Sequence, residues 1–157
     1  MDLWASNNSS ALSTYGEIND WDVSQMTELN RLFRYKDTFN DDISNWDVSN
    51  VTSMWEMFKN AESFNQDISS WDVSNVTNLN GMFQSAESFN QDISSWDVSI
   101  GPQMAVMFLH AYSFNQDLNN WDVSNVTNVV GMFHTATGFN GNISSWNLSS
   151  ITSLQDM

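Results

Sequence analysis

The chain has 157 residues, no cysteine, and a formal net charge of −15, with 19 acidic side chains against four lysines and arginines. That balance excludes the basic footprint nucleic acid requires and disfavours anionic membrane surfaces, but it suits a cationic partner or divalent cations. Without cysteine there is neither a disulfide framework nor a thiolate site, and no apolar run approaches the roughly 20 residues of a membrane-spanning helix.

Residues 1–16 differ from everything that follows. Leu3, Trp4, Ala5, Ala11, Leu12 and Tyr15 are expected to cover the open end of a repeat array, because terminal repeats are usually atypical. Met1 is followed by no basic and apolar leader, so the expectation is a cytosolic chain or the mature piece of a longer protein.

From Glu17 onward the chain is periodic. Trp21, Trp46, Trp71, Trp96, Trp121 and Trp146 stand 25 residues apart, all but the last opening the tetrapeptide WDVS. Phe33, Phe58, Phe83, Phe108 and Phe133 keep the same period, as do Phe39, Phe64, Phe89, Phe114 and Phe139; these two series contain all ten phenylalanines. A fixed period of this size marks a repeat architecture in which each unit is stable only when stacked between neighbours. One continuous array of about six repeats over residues 17–157, preceded by an entry segment at 1–16, is the expected organisation.

Within the unit Phe64–Ser88, Trp71-Asp72-Val73-Ser74 alternates apolar and polar, which predicts a short half-buried strand with Trp and Val inward and Asp outward. Leu79, Met82, Phe83 and Ala86 fall at offsets of three and four, which predicts a short α or 3₁₀ segment. Ile68, Trp71 and Val73 have the L-x-x-L-x-L spacing of a leucine-rich repeat strand. The predicted fold is therefore an α/β, right-handed, leucine-rich-repeat-like solenoid. One short strand per repeat would form a parallel sheet, with short helical segments on the opposite side. Met57, Met82, Met107 and Met132 adjoin the phenylalanines and read as core filler.

The main departure is Ile100-Gly101-Pro102-Gln103, where other repeats read NVT. Pro102 removes an N–H and fixes φ, so a local bulge or kink is expected. The chain stops at Met157 inside a repeat, which suggests a fragment of something longer or an end covered by another chain.

FNQDISSWDVSNVTNLNGMF, from Phe64 to Phe83, resembles the 25-residue unit of the BspA-like leucine-rich repeat surface proteins, F-N-x-D-I-S-x-W-D-V-S-x-V-T-x-M-x-x-M-F. The resemblance covers about Gly16 to Met157. It implies a repeat solenoid on secreted or cell-surface proteins, adhesion or other protein contact, and no catalytic residues.

Equivalent residues of stacked repeats lie about 4.8 Å apart. Asp22, Asp47, Asp72, Asp97 and Asp122 should therefore form one exposed acidic row, and Asp42, Asp67, Asp92 and Asp117 a second. Adjacent like charges at that spacing repel by about 1 kcal/mol even in water. Hydrogen bonds from serine and backbone N–H groups would offset this. Ca²⁺, which takes six to eight oxygen ligands, is the alternative, and the second row is its candidate site. The first row, with Trp55, is the candidate partner-binding face; Trp55 has Asn80, Ala105 and Val130 as equivalents, so the core does not demand it. Asn40, Asn65, Asn90, Asn115 and Asn140 predict a structural amide row. Thr27, Thr52, Thr77, Thr127 and Thr152 predict a turn-stabilising hydroxyl row rather than an ice-binding face.

No catalytic constellation is visible. His110 and His134 occupy inequivalent positions without a second ligand at metal spacing, and no phosphate loop or nucleophile elbow is present. Sequons at Asn7, Asn8, Asn50, Asn75, Asn125, Asn142 and Asn147 largely follow the repeat grammar. The functional expectation is a non-enzymatic extracellular or surface module that binds a protein, or other copies of itself, or a cationic surface. The alternative is an assembly module of a filament, coat or matrix. Neither nucleic acid nor membrane insertion is expected, and no cofactor beyond the candidate Ca²⁺.

Overall fold

The 25-residue period becomes a stack of coils, each repeat laid on the one before it. The structure is a computed structural model and describes residues 8–157; the expected covering role of Leu3, Trp4 and Ala5 lies outside the described residues. One helix, α1 (Asn8–Tyr15), and one 3₁₀ turn, Ile18–Asp20, precede the first coil. Ala11 of α1 is fully buried and Leu12 packs on the core, whereas Tyr15, expected to cover with them, is exposed.

Two columns of phenylalanine run through the stack. Phe33, Phe58, Phe83, Phe108 and Phe133 succeed one another with ring centroids 5.3–5.7 Å apart and nearly parallel. Phe39, Phe64, Phe89, Phe114 and Phe139 do the same at 5.9–6.0 Å. The columns touch within each coil, as Phe58 and Phe64 do at 3.9 Å. The separations along each column lie in the favourable range for offset aromatic pairs. Trp46, Trp71, Trp96 and Trp121 are buried, with Val48, Val73, Val98 and Val123 beside them, and so are the four methionines. The inward positions read from WDVS are thus the inward positions of the fold.

The predicted secondary structure is not what forms. No strand or sheet forms among the described residues; parallel pairing is reduced to isolated bridges, Glu28 with Ser53, Ser53 with Asn78, and Asn78 with Gln103. Nor does any helix flank a sheet, α1 being the single α-helix described. The leucine-rich-repeat-like solenoid with its parallel sheet is therefore corrected to a stack of coils built from turns.

Backbone hydrogen bonding gives the reason. In the WDVS stretch the amides close local turns: Ser49 N–H goes to the Asp47 carboxylate and Val51 N–H to the Val48 carbonyl. They are then not available for a ladder. In the segment expected to be helical, alternate amides diverge. Leu79, Gly81, Phe83 and Ser85 donate to carbonyls of the next coil, whereas Met82, Gln84 and Ala86 close turns three residues back. A positive φ at the third residue of a turn produces this form, and it recurs at Arg31, Glu56, Gly81, Val106 and Gly131, and again four residues on at Tyr35, Asn60, Ser85, His110 and Thr135. Turns repeating every three to four residues place apolar side chains at helix-like offsets without a helix.

Pro102 acts locally. Gln103 N–H reaches the Thr77 carbonyl at 3.0 Å, making the bond that the proline cannot. Pro102 is buried where Thr52 and Thr77 are exposed, and Gly101 holds the place of the buried Val51, Val76 and Val126.

Candidate interaction surface

The first acidic row is exposed along its length. Each member takes the same conformation: one carboxylate oxygen accepts from the N–H of the serine two residues on, at 2.9–3.1 Å, in Asp22, Asp47, Asp72, Asp97 and Asp122. The serine hydroxyl donates as well in Asp22, Asp47 and Asp72. Bonds from the serine side chain, then from its N–H, hold the carboxyls of Asp22, Asp47, Asp97 and Asp122 below the usual aspartate range. The neighbouring Asp22 pushes Asp47 the other way and is the weakest influence on it. Hydrogen bonding to the charged form thus outweighs like-charge repulsion.

The second row follows the same plan. Asp42, Asp67 and Asp92 each accept from the serine N–H two residues on, and Asp117 accepts from the N–H of Asn142 in the next coil. The serine N–H, then its hydroxyl, holds Asp67 and Asp92 low. Among the described residues, no group of three or more histidines or carboxylates suited to a metal ion forms. An open hollow beside the first two coils is lined by Glu17, Ile18, Asn19, Asp20, Asp41 and Asp42, and Asn19 donates there to Asp42.

The amide row ties coils together. The side-chain oxygen of Asn40 accepts from the backbone N–H of Asn65, and Asn65, Asn90 and Asn115 repeat this onto Asn90, Asn115 and Asn140. The bonds run from backbone to amide rather than between amides. In the threonine row, Thr52 and Thr77 donate their hydroxyls to Thr27 and Thr52 carbonyls, a turn-stabilising use. The sequon asparagines Asn50, Asn75 and Asn125 likewise donate to carbonyls of the preceding coil. His110 and His134 meet through the backbone, His110 N–H donating to the His134 carbonyl at 3.1 Å.

Trp55 belongs to a cluster that composition alone did not reveal. All four cationic side chains, Arg31, Arg34, Lys36 and Lys59, fall in the first two coils. Glu56, only 9% exposed, binds three of them: Arg31 Nε at 2.9 Å, Lys59 Nζ at 2.9 Å and Arg34 at 3.4 Å. Burial pushes the Glu56 carboxyl up, but the Lys59 and Arg31 bonds, with the Lys59 and Arg34 charges, bring it below its ordinary range. Arg31, 45% exposed at its side chain, lies with its guanidinium 3.7 Å above the Trp55 ring, a cation–π stack. Arg34 covers Tyr35 at 4.6 Å. The signal for this cluster was the period itself: Arg31 and Glu56, like Arg34 and Lys59, are 25 residues apart and so stand on adjacent coils.

The family described as "Mycoplasma protein of unknown function, DUF285" matches residues 4–104 and 71–157 of the chain. No curated protein matches it. With its repeats matched from one end to the other, the chain belongs to the DUF285 family.

Proposed function

We propose that the chain is a non-enzymatic interaction module that binds a protein partner outside the cell or on its surface. The observation that carries this reading is the exposed row Asp22, Asp47, Asp72, Asp97 and Asp122, each carboxylate fixed by its own serine. A rigid row loses little side-chain entropy on binding and favours a cationic complement. The repetition argues against catalysis: a catalytic pair needs two carboxylates in unlike environments, whereas these sit in like ones. The WDVSNVT grammar, which resembles that of BspA-like surface proteins, supports the external address. Nucleic acid and membrane insertion do not fit the charge, and among the described residues no helix is long and apolar enough to cross a membrane.

Binding of a lysine-rich peptide to the immobilised chain tests the reading. The triple variant Asp72→Asn, Asp97→Asn, Asp122→Asn keeps the serine bonds and removes three charges. Affinity should fall by about tenfold or more, equivalent to about 1.4 kcal/mol. An affinity indifferent to the three substitutions would remove the row from the binding face. Antibody labelling of intact producing cells tests the address; signal only after lysis would refute it.

A further inference from the structure

Two residues, one half-buried and one exposed, break the repeat pattern without any demand from the core. Trp55 stands where other coils have Asn30, Asn80, Ala105 and Val130, and Ile100 stands where they have Asn50, Asn75 and Asn125. Ile100 is 48% exposed. Its asparagine counterparts donate to the preceding coil, which an isoleucine cannot do, so the substitution forgoes an inter-coil bond for an exposed apolar side chain. Trp55 carries the Arg31 guanidinium on its face in the one cationic region of the chain, whereas residues 60–157 contain no lysine or arginine. Ile100 lies three residues after Asp97, and Asp122 holds the place of Asp97 in the next coil. One site is thus aromatic and cationic, the other apolar and acidic.

We propose that copies of this chain associate with one another, the Arg31–Trp55 stack of one copy receiving the Asp97–Ile100–Asp122 corner of another. This names the partner within the interaction reading above and rests on it. Arg31 uses its Nε on Glu56, and its side chain remains 45% exposed, leaving guanidinium N–H groups that match a carboxylate. Trp and Arg are the residue types most often found at binding hot spots, and Ile100 supplies apolar surface for the indole. The two sites are different patches, so a contact that uses one site of each copy is heterologous and leaves one site unused at each end. Such contacts form rings or grow as open chains rather than stopping at a dimer. Long-range repulsion between copies charged −15 opposes approach but is screened beyond about 8 Å at physiological ionic strength.

The test is sedimentation of the purified chain at that ionic strength from about 1 to 200 µM, the range in which micromolar affinities are read. The expected result is a mass that rises with concentration past the dimer. Trp55→Asn and Ile100→Asn each restore the residue that equivalent coils carry, so both variants should fold, which a melting curve verifies. Each should weaken association by about tenfold, and Arg31→Gln should do the same. A monomer throughout the range, or association that neither asparagine substitution changes, would overturn the proposal. If the monomeric chain still binds the lysine-rich peptide, only self-association fails; if it binds neither, the interaction reading fails too.

Discussion

The indole N–H of Trp96 donates to the carbonyl oxygen of Ile68, one coil away, at 3.1 Å. The same bond links Trp46 to Ile18, Trp71 to Ile43, Trp121 to Ile93 and Trp146 to Leu118. It explains why the position is tryptophan rather than another large apolar residue: one side chain fills the core and pairs a buried carbonyl. Trp96→Phe should cost about 1 kcal/mol, the net worth of one hydrogen bond, because the Ile68 carbonyl keeps its bond from the Trp71 N–H, and Trp96→Ala about 3–5 kcal/mol through lost packing. Denaturant unfolding measures both. A phenylalanine variant as stable as the parent would show that the bond plays no part in the choice. Because each coil contacts only its neighbours, the alanine variant should also broaden or split the transition.

Acid should destabilise the chain in a defined window. The folded-state carboxyls of Asp22, Asp47, Asp67, Asp92, Asp97 and Asp122 lie below their ordinary values because serine bonds favour the charged form. A lowered folded pKa gives stability that is fully present above the unfolded value, about 3.9, and is lost as pH falls through the folded value. The melting temperature should therefore hold between neutrality and about pH 5 and drop below about pH 4. Asp97→Asn, which keeps an acceptor oxygen as Asn147 does for Ser149, should make the drop shallower. A steeper drop in that variant would contradict the assignment.

Glu56→Gln should be more damaging than any change in the exposed rows. It leaves Arg31, Arg34 and Lys59 facing one another around a nearly buried amide. Removing one partner of a buried ion pair costs about 3–5 kcal/mol, and partial exposure here lowers the expectation to about 2 kcal/mol. Thermal unfolding of the variant checks it; a loss within about 0.5 kcal/mol, the level of an ordinary surface change, would mean that the cluster is dispensable to folding.

Backbone strain at two positions predicts opposite signs. Gly101 has φ +80°, and a Cβ there would lie 2.4 Å from the Asn125 carbonyl oxygen. Gly101→Ala should cost about 2 kcal/mol or more, combining strain with a backbone clash. Val106, a β-branched residue, holds φ +52° where the equivalent positions in adjoining coils are Gly81 and Gly131. Val106→Gly relieves strain of about 1–3 kcal/mol against lost packing and added unfolded-state freedom, so it should be neutral or stabilising. Equilibrium unfolding of both variants reads the two signs directly.

Millimolar Ca²⁺ should raise the melting temperature no more than a sodium salt of equal ionic strength. In Asp42, Asp67, Asp92 and Asp117 one oxygen already accepts a backbone N–H, and such bonds compete with inner-sphere ligation. A Ca²⁺-specific shift that Asp92→Asn abolishes would restore the second row as a cation site.

The periodic pattern determined a great deal. The recurrence of Trp, Val, Phe and Met at fixed phase named the buried residues, because only a stack of like units can bury a face that no single unit covers. The WDVS alternation turns its aspartates outward but leaves open whether serine bonds or Ca²⁺ offset their repulsion; in the structure each accepts from the N–H of the serine two residues on. What the sequence alone left open was the path of the backbone between those anchors. Alternation in Trp71–Ser74 and offsets of three and four in Leu79–Ala86 are the marks of strand and helix. Here both arise from turns, with positive φ at ordinary residues such as Glu56 and Ser85 that no local propensity would place there. The tertiary structure decided this because half of each turn segment's amides are satisfied only by the next coil. It likewise decided which cation meets which acid: Arg31 and Glu56 are 25 residues apart in the chain and become neighbours only when one coil lies on another.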